Sequence, residues 1–308
     1  MKTESPADQK LEHRNWGLFC AVLSTGLSSV AIVFQATAAK QINPILLASI
    51  SNLIGGVFLW FVARAFGSIS WSTIRTQWRA LLMLVLLRNF LGAMLFWWGL
   101  SLTLGIKAMF FTKAEPYFVL FWNWVFERKR IPAKHLGLLL IHILGAIVLS
   151  VGDLSSLGIS QIWDLVILLA VVVLALSYRY GAKLVTEFGA LNTTIFSQCA
   201  GGALMLPIAI MLGGLNNQAD STAWMHFFTA VFLWNVFGVV CWFVALKSVE
   251  TWIVSALRAL GPLIAAPIAW YFFGEVLTPQ QIAGGIVVLA TSVLISLDQP
   301  RRDEPRRA

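Results

Sequence analysis

Three features of the sequence predict an all-α polytopic membrane protein, with ten transmembrane helices arranged as two inverted five-helix repeats. They are an apolar composition, ten apolar segments of spanning length, and a second half that copies the first. Hydrophobic residues make up 58% of the 308, charged residues only 12%, and the mean hydropathy is +0.79. Soluble domains run nearer half apolar and a quarter charged. Charge is scarce here because lipid is the solvent for most of the surface. A spanning helix needs roughly 20 mainly apolar residues, and ten such stretches leave only short connections.

In chain order the expected helices begin at 16–38, behind a polar, charged segment from Met1 to Asn15 with no signal-peptide cleavage pattern. The span 44–65 carries Ser51-Asn52 and Gly55-Gly56, and 78–101 carries Arg88 and Asn89. The span 106–126 contains Lys113, Glu115 and Pro116, and 135–152 contains His135 and His142. The second half follows with 161–182, then 192–214 with Gln198 and Gly201-Gly202, and 224–246 with Asn235. Arg258 and Pro262 fall in 252–273, and Gly284-Gly285 in 278–297. The segments are apolar on nearly all sides, which argues against barrel strands. Asp298 to Ala308 reads as a solvated, disordered end.

The net charge is +8, and its placement sets the topology. With the N-terminus cytoplasmic, seventeen Lys and Arg lie on the inner side, and only Lys40 and Lys107 on the outer. That asymmetry predicts both termini inside the cell inner (plasma) membrane. It explains the basic excess without nucleic acid. Cys20, Cys199 and Cys241 are single residues within helices, with no CxxC. His135 and His142 share a helix face but have no third ligand, so neither a metal nor a cofactor is expected. No Walker motif is present, so direct ATP coupling is excluded.

A shift of 146 residues aligns the chain with itself without gaps from Ser51 to Pro116, giving thirteen identities in 66 positions. Gly55-Gly56 falls on Gly201-Gly202, Gly67 on Gly213, and Trp78 on Trp224. Asn89-x-x-Gly92 falls on Asn235-x-x-Gly238, and Pro116 on Pro262. The matches concentrate in residues with geometric uses. Shared apolar composition would scatter them over Leu, Val and Ala. Beyond the prolines the matches drift, pairing Glu127 with Glu275, Pro132 with Pro279 and Gly137 with Gly284. Two halves follow, 16–152 and 161–298, flanked by tails 1–15 and 299–308 on the cytoplasmic side. Five helices per half force the halves into opposite orientation, which is a signature of secondary transporters.

The stretch from Ser248 through Arg258 to Gly261-Pro262, continuing with Phe273-Gly274-Glu275 to Gly284, resembles the end of an EamA-type repeat of the drug/metabolite transporter superfamily. Lys113-Ala-Glu-Pro116, Phe126-Glu127, Pro132 and Gly137 form a looser first copy, departing from the family pattern in the charges before the proline. The resemblance spans essentially the whole chain. It implies the ten-helix fold and metabolite transport.

The sharpest chemical signal is charge inside the membrane: Arg88, Lys113, Glu115 and Arg258. Arg88 and Glu115 lie roughly 15 Å from a helix end at 1.5 Å per residue. A midplane charge costs at least ~2.5–3.5 kcal/mol, so it faces a cavity or a partner. The repeat partners Trp234, Ala259 and Gly261 are neutral, so the scaffold itself does not require these charges. Lys113, Arg258 and Arg88, with Tyr117 and Trp98, are therefore the candidate substrate-binding residues. Tyr117 shares the helical stripe of Lys113. The alternative is that the charges pair only with one another. Glu115, the only deep carboxylate, is the coupling candidate. Pro116 and Pro262 are candidate hinges, and Glu127 and Glu275 are interfacial or gating residues. Gln35, Asn52, Asn89, Gln198 and Asn235 either bond helices together or line the path.

Three cations against one carboxylate favour an anionic cargo. The expected function is a secondary transporter, an exporter of a small organic metabolite such as an amino acid or related carboxylate, working by alternating access. The expected state is a monomer or homodimer in the lipid bilayer. An exchanger of sugar phosphates or nucleotide sugars is the alternative. A membrane enzyme acting on lipid-linked substrates is more remote, because no paired catalytic groups are visible.

Overall fold

A computed structural model describes residues 6–65, 76–128, 132–151, 160–215, 219–249, 254, 257–258 and 260–297. Residues 1–5 and 298–308, Gly67, Arg75, Lys129, Arg130 and the start of the expected 252–273 helix lie outside these residues. The described residues form ten helical elements, and no strand occurs among them. They are α1 (Pro6–Ala39), α2 (Pro44–Ala65), α3 (78–102), α4 (105–127) and α5 (Ala133–Val151). The second half contributes α6 (Ser160–Phe188), α7 (Ala190–Met211), α8 (221–248), α9 (Gly261–Phe273) and α10 (Pro279–Leu297).

Six of these are long and apolar enough to cross a membrane: α1, α2, α3, α6, α7 and α8. α5, α9 and α10 are shorter apolar helices, and α4 is interrupted by a 3₁₀ turn over Thr112–Ala114. α1 starts at Pro6, so the polar segment before Trp16 is largely helical. Proline suits a first helical turn because its missing N–H has no partner there anyway. Lys10, Leu11 and Glu12 then favour continuation.

Three pairs of helical stretches keep the 146-residue offset at both ends. α2 matches α7, α5 matches α10, and the last stretch of α4 (Glu115–Glu127) matches α9 (Gly261–Phe273). The drift of the sequence matches beyond the prolines is therefore not followed by the backbone. Glu127 is the last residue of its helix, whereas Glu275 lies two residues beyond the end of its own.

The two halves cross at α2 and α7. A Cβ on Gly55 would sit 2.8 Å from the Asn235 Cβ, and one on Gly201 would collide with the Asn89 Cβ. Gly56 meets Cys199, and Gly202 meets Leu53. Each contact thus occurs twice with the halves exchanged. Ser49 and Leu53 meet Gly202 while Gly56 meets Cys199, so α2 and α7 run antiparallel. α5 and α10 do the same, Gly145 meeting Val287 and Leu149 meeting Gly284. Antiparallel packing of matched helices is what inversion of the halves requires.

Apolar side chains gather in two separate cores. One surrounds Val33, Ile42, Leu47, Met109 and Phe227. The other surrounds Cys20, Leu59, Ile195, Val236 and Trp242. On α1 and α2 the stretch between them carries buried polar groups: Ser24, Thr25 and Ser29, then Ser49, Ser51 and Asn52. That polar layer is where the charged side chains enter.

Candidate functional site

α3 and α8 each contain a π-helical stretch at matched positions, Val85–Gly92 and Val231–Gly238. The N–H of Ala93 bonds to the carbonyl of Arg88, and that of Val239 to Trp234, each five residues back. Such widened turns are rare and concentrate at functional positions. The matched glycines make room for them. A Cβ on Gly92 would approach the Leu87 oxygen to 2.6 Å, and one on Gly238 the Leu233 oxygen to 2.8 Å. Side-chain amides from the crossing helices bond the widened turns. Asn52 Nδ2 donates to the Asn89 carbonyl at 3.1 Å, and Gln198 Nε2 to the Asn235 carbonyl at 3.4 Å. Asn52 and Gln198 thus bond helices together.

α4 breaks because Pro116 has no N–H. The Thr112 carbonyl, which residue 116 would have satisfied in an α-helix, is taken by the Glu115 N–H one residue earlier. The result is the 3₁₀ turn Thr112–Ala114, followed by a restarted helix with proline in its first turn. Before α9 the turn around Pro262 is also tight, with the Leu263 N–H bonding to Leu260 and the Leu260 N–H to Leu257, each three residues back. The two breaks meet. Gly261 packs against Met109 and Ser29, and a Cβ there would stand 3.3 Å from Lys113 Nζ. The Lys113 carbonyl accepts from Ser292 Oγ of α10 at 3.1 Å.

Around these breaks the charges assemble. Arg258 Nη1 lies 4.0 Å from Glu115 Oε1, with side chains 20% and 21% exposed. Tyr178 of α6 stands beside both and interacts electrostatically with each. The Arg258 guanidinium carbon sits 5.7 Å from the Trp234 ring centre and 5.5 Å from that of Trp242. The Arg88 carbon lies 5.0 Å from the same Trp242 ring and 5.7 Å from Tyr178. The Tyr178 and Trp242 rings are themselves 5.5 Å apart. Two guanidiniums therefore share one indole, and one of them also pairs with a carboxylate. Each cation–π contact contributes about 0.5–2 kcal/mol, enough to offset part of the cost of a charge at this depth. Lys113 is buried beside the α9 break at 6% exposure, with no carboxylate within ion-pair distance among the described residues.

A model of the EamA-like transporter family matches residues 15–151 and again 161–297. The chain belongs to the EamA-like transporter family. As a member it is a membrane transporter of the drug/metabolite superfamily. The chain is also similar to a solved structure titled only "Crystal structure of protein", with a TM-score of 0.62 at 14% identity. The match covers 89% of this chain and 96% of that one, a likeness of fold alone. No curated protein matches the sequence.

In this EamA-like transporter the structure brings Arg88, Glu115 and Arg258 together, with Lys113 at the neighbouring break. Tyr117 and Trp98 stand elsewhere. The Tyr117 hydroxyl donates to the Thr291 carbonyl at 3.0 Å, and its ring lies 4.6 Å from that of His142. His142 Nδ1 is in turn 2.9 Å from Thr291 Oγ1. Tyr117 thus belongs to the contact between α4, α5 and α10. Trp98 is 44% exposed on the outside of α3, next to Trp163. Three residues of the cluster were not singled out from sequence: Tyr178, Trp234 and Trp242. One of them carried a usable signal, because Trp234 is the repeat partner of Arg88.

Proposed function

We propose that the protein exports a small organic metabolite bearing a carboxylate, amino acids fitting best, by alternating access across the cell inner membrane with both termini cytoplasmic. One observation carries the reading: two guanidiniums, Arg88 and Arg258, converge on one Trp242 ring, and among the described residues Glu115 pairs with Arg258 alone. A carboxylate offers two oxygens in the plane that a guanidinium fork recognises. An α-amino acid completes the match, because Glu115 and the faces of Tyr178, Trp234 and Trp242 can receive its ammonium group. Glu115 is also suited to carry a coupling proton, since cargo binding to the arginines competes with its ion pair. Pro116 and Pro262 serve as the hinges.

Buried Lys113 favours a second reading. A third cation beside the α9 break suits a doubly charged phosphate, as in sugar phosphates or nucleotide sugars. Counterflow in proteoliposomes decides between the two. Preloaded amino acids should drive uptake of labelled amino acids and leave labelled sugar phosphates outside. Exchange of sugar phosphates alone selects the second reading, and counterflow of a purely cationic solute sinks both.

A further inference from the structure

α9 ends at Gly274, whose left-handed backbone (φ 62°) turns the chain back, and the Glu275 N–H bonds to the Ala269 carbonyl at 3.1 Å. This turn buries the Glu275 carboxylate, whose side chain is 5% exposed. Oε1 accepts from the Gly105 N–H at 3.2 Å and Oε2 from the Ile106 N–H at 3.1 Å. Those are the first backbone donors of α4, which have no partner inside their own helix. Lys40 Nζ, at the end of α1, lies 3.8 Å from Oε1. A second carboxylate grips the same junction from α6: Asp164 accepts from the Thr103 hydroxyl and lies 3.8 Å from Lys107 Nζ. Both carboxylates come from the second half, and the junction they hold belongs to the first. All of this lies at the end of the bundle away from the chain termini.

We propose that Glu275 is a gate-positioning residue for transport. Its carboxylate ties the start of α4 to the end of α9, and its release opens that end of the bundle. α4 carries Lys113 and Glu115, and the Gly261 break of α9 sits against Lys113. A tie between the far ends of these helices therefore controls whether the polar layer can be reached from that side. The contacts suit a reversible latch. They are charge-assisted, so they hold the closed form. They also lie at a bundle end where water can satisfy both N–H groups and the carboxylate once parted. The inference rests on membership in a transporter family and is independent of the anionic-cargo reading.

The test uses full-length protein in proteoliposomes, with Met109→Cys as reporter, since Met109 is buried on α4 against Gly261. A membrane-impermeant maleimide is confined to the side opposite a C-terminal tag, and labelling is read residue by residue by mass spectrometry. Adding Glu275→Gln, which keeps the shape but removes the charge, should raise the labelling rate at position 109 by about tenfold. Labelling at Cys20, in the other core, should stay unchanged. Unaltered labelling at 109, or equal increases at 109 and Cys20, overturns the proposal. If Glu275→Gln does not yield folded protein, Lys40→Gln at the exposed side of the latch is judged by the same two criteria.

Discussion

α3 and α8 are the same helix built twice, yet only α3 carries a charge in its widened turn. Both widen into a π turn over matched residues, both place a glycine where a Cβ would strike the carbonyl five residues back, and both bond an amide from the crossing helix. Within those turns Arg88 stands in α3 and Trp234 in α8. The same contrast separates the two proline breaks, where Lys113 and Glu115 of α4 correspond in sequence to Ala259 and Gly261 of the other half. Matched residues build the scaffold, and unmatched ones supply the chemistry. Within the cluster Arg258 rests on Trp234, the neutral residue that corresponds to Arg88.

The largest expected effect breaks the matched side of this comparison. Gly55→Val and Gly201→Val each drive a branched side chain into the partner's asparagine at the α2–α7 crossing. Neither variant should yield monodisperse protein by size-exclusion chromatography, and the two should fail alike. A well-folded Gly201→Val would show that the halves do not share one crossing.

Next come the unmatched charges. Arg88→Gln and Arg258→Gln should each weaken cargo affinity by about ten- to a hundredfold, the value of a charge-assisted contact, while the melting temperature stays near that of the parent. If the cargo is a phosphate, Lys113→Gln should weaken its affinity to a similar degree. If instead Arg258→Gln lowers the melting temperature and adding Glu115→Gln restores both stability and transport, the pair is structural only.

A smaller effect is expected where the amides bond the π turns. Asn52→Leu and Gln198→Leu each remove a donor to a buried carbonyl, which should cost about 1–3 kcal/mol. Chemical denaturation should register similar losses for the two. A loss confined to one half would show that the bonds are not equivalent. The smallest effects belong to Tyr117→Phe and Trp98→Leu. The first deletes one hydrogen bond to Thr291 and should cost about 1 kcal/mol; the second alters an exposed side chain and should stay within about 0.5 kcal/mol. Counterflow affinity should be unchanged in both. A marked affinity loss for Tyr117→Phe would return that residue to the cargo site.

The scaffold was legible in the sequence because glycine, proline and asparagine record geometry directly. Gly55, Gly201, Asn89 and Pro116 sit at contacts or breaks that few other residues tolerate, so the 146-residue copy was visible through them. The charges of the site were legible by their cost in lipid. Side-chain facing was not, for a physical reason. The stripe joining Lys113 to Tyr117 assumed α-helical rotation, but a 3₁₀ turn advances about 120° per residue against about 100° in an α-helix. Three such residues before Glu115 turn Tyr117 toward Thr291 and His142. The π turn in α3 likewise changes the phase of Trp98 relative to Arg88. Tyr178 and Trp242 were missed because aromatic residues are abundant in lipid-facing and interfacial positions, and only the fold shows which ones meet an arginine.

The matched π turns also preserve a piece of history. A π turn is what remains when one residue is inserted into an α-helix and the helix absorbs it without losing its ends. α3 and α8 each hold such an extra residue at the same distance along the chain. Two separate insertions into finished halves would have to coincide in place and in the glycine that accommodates them. A single insertion into an ancestral half, later duplicated, needs no coincidence.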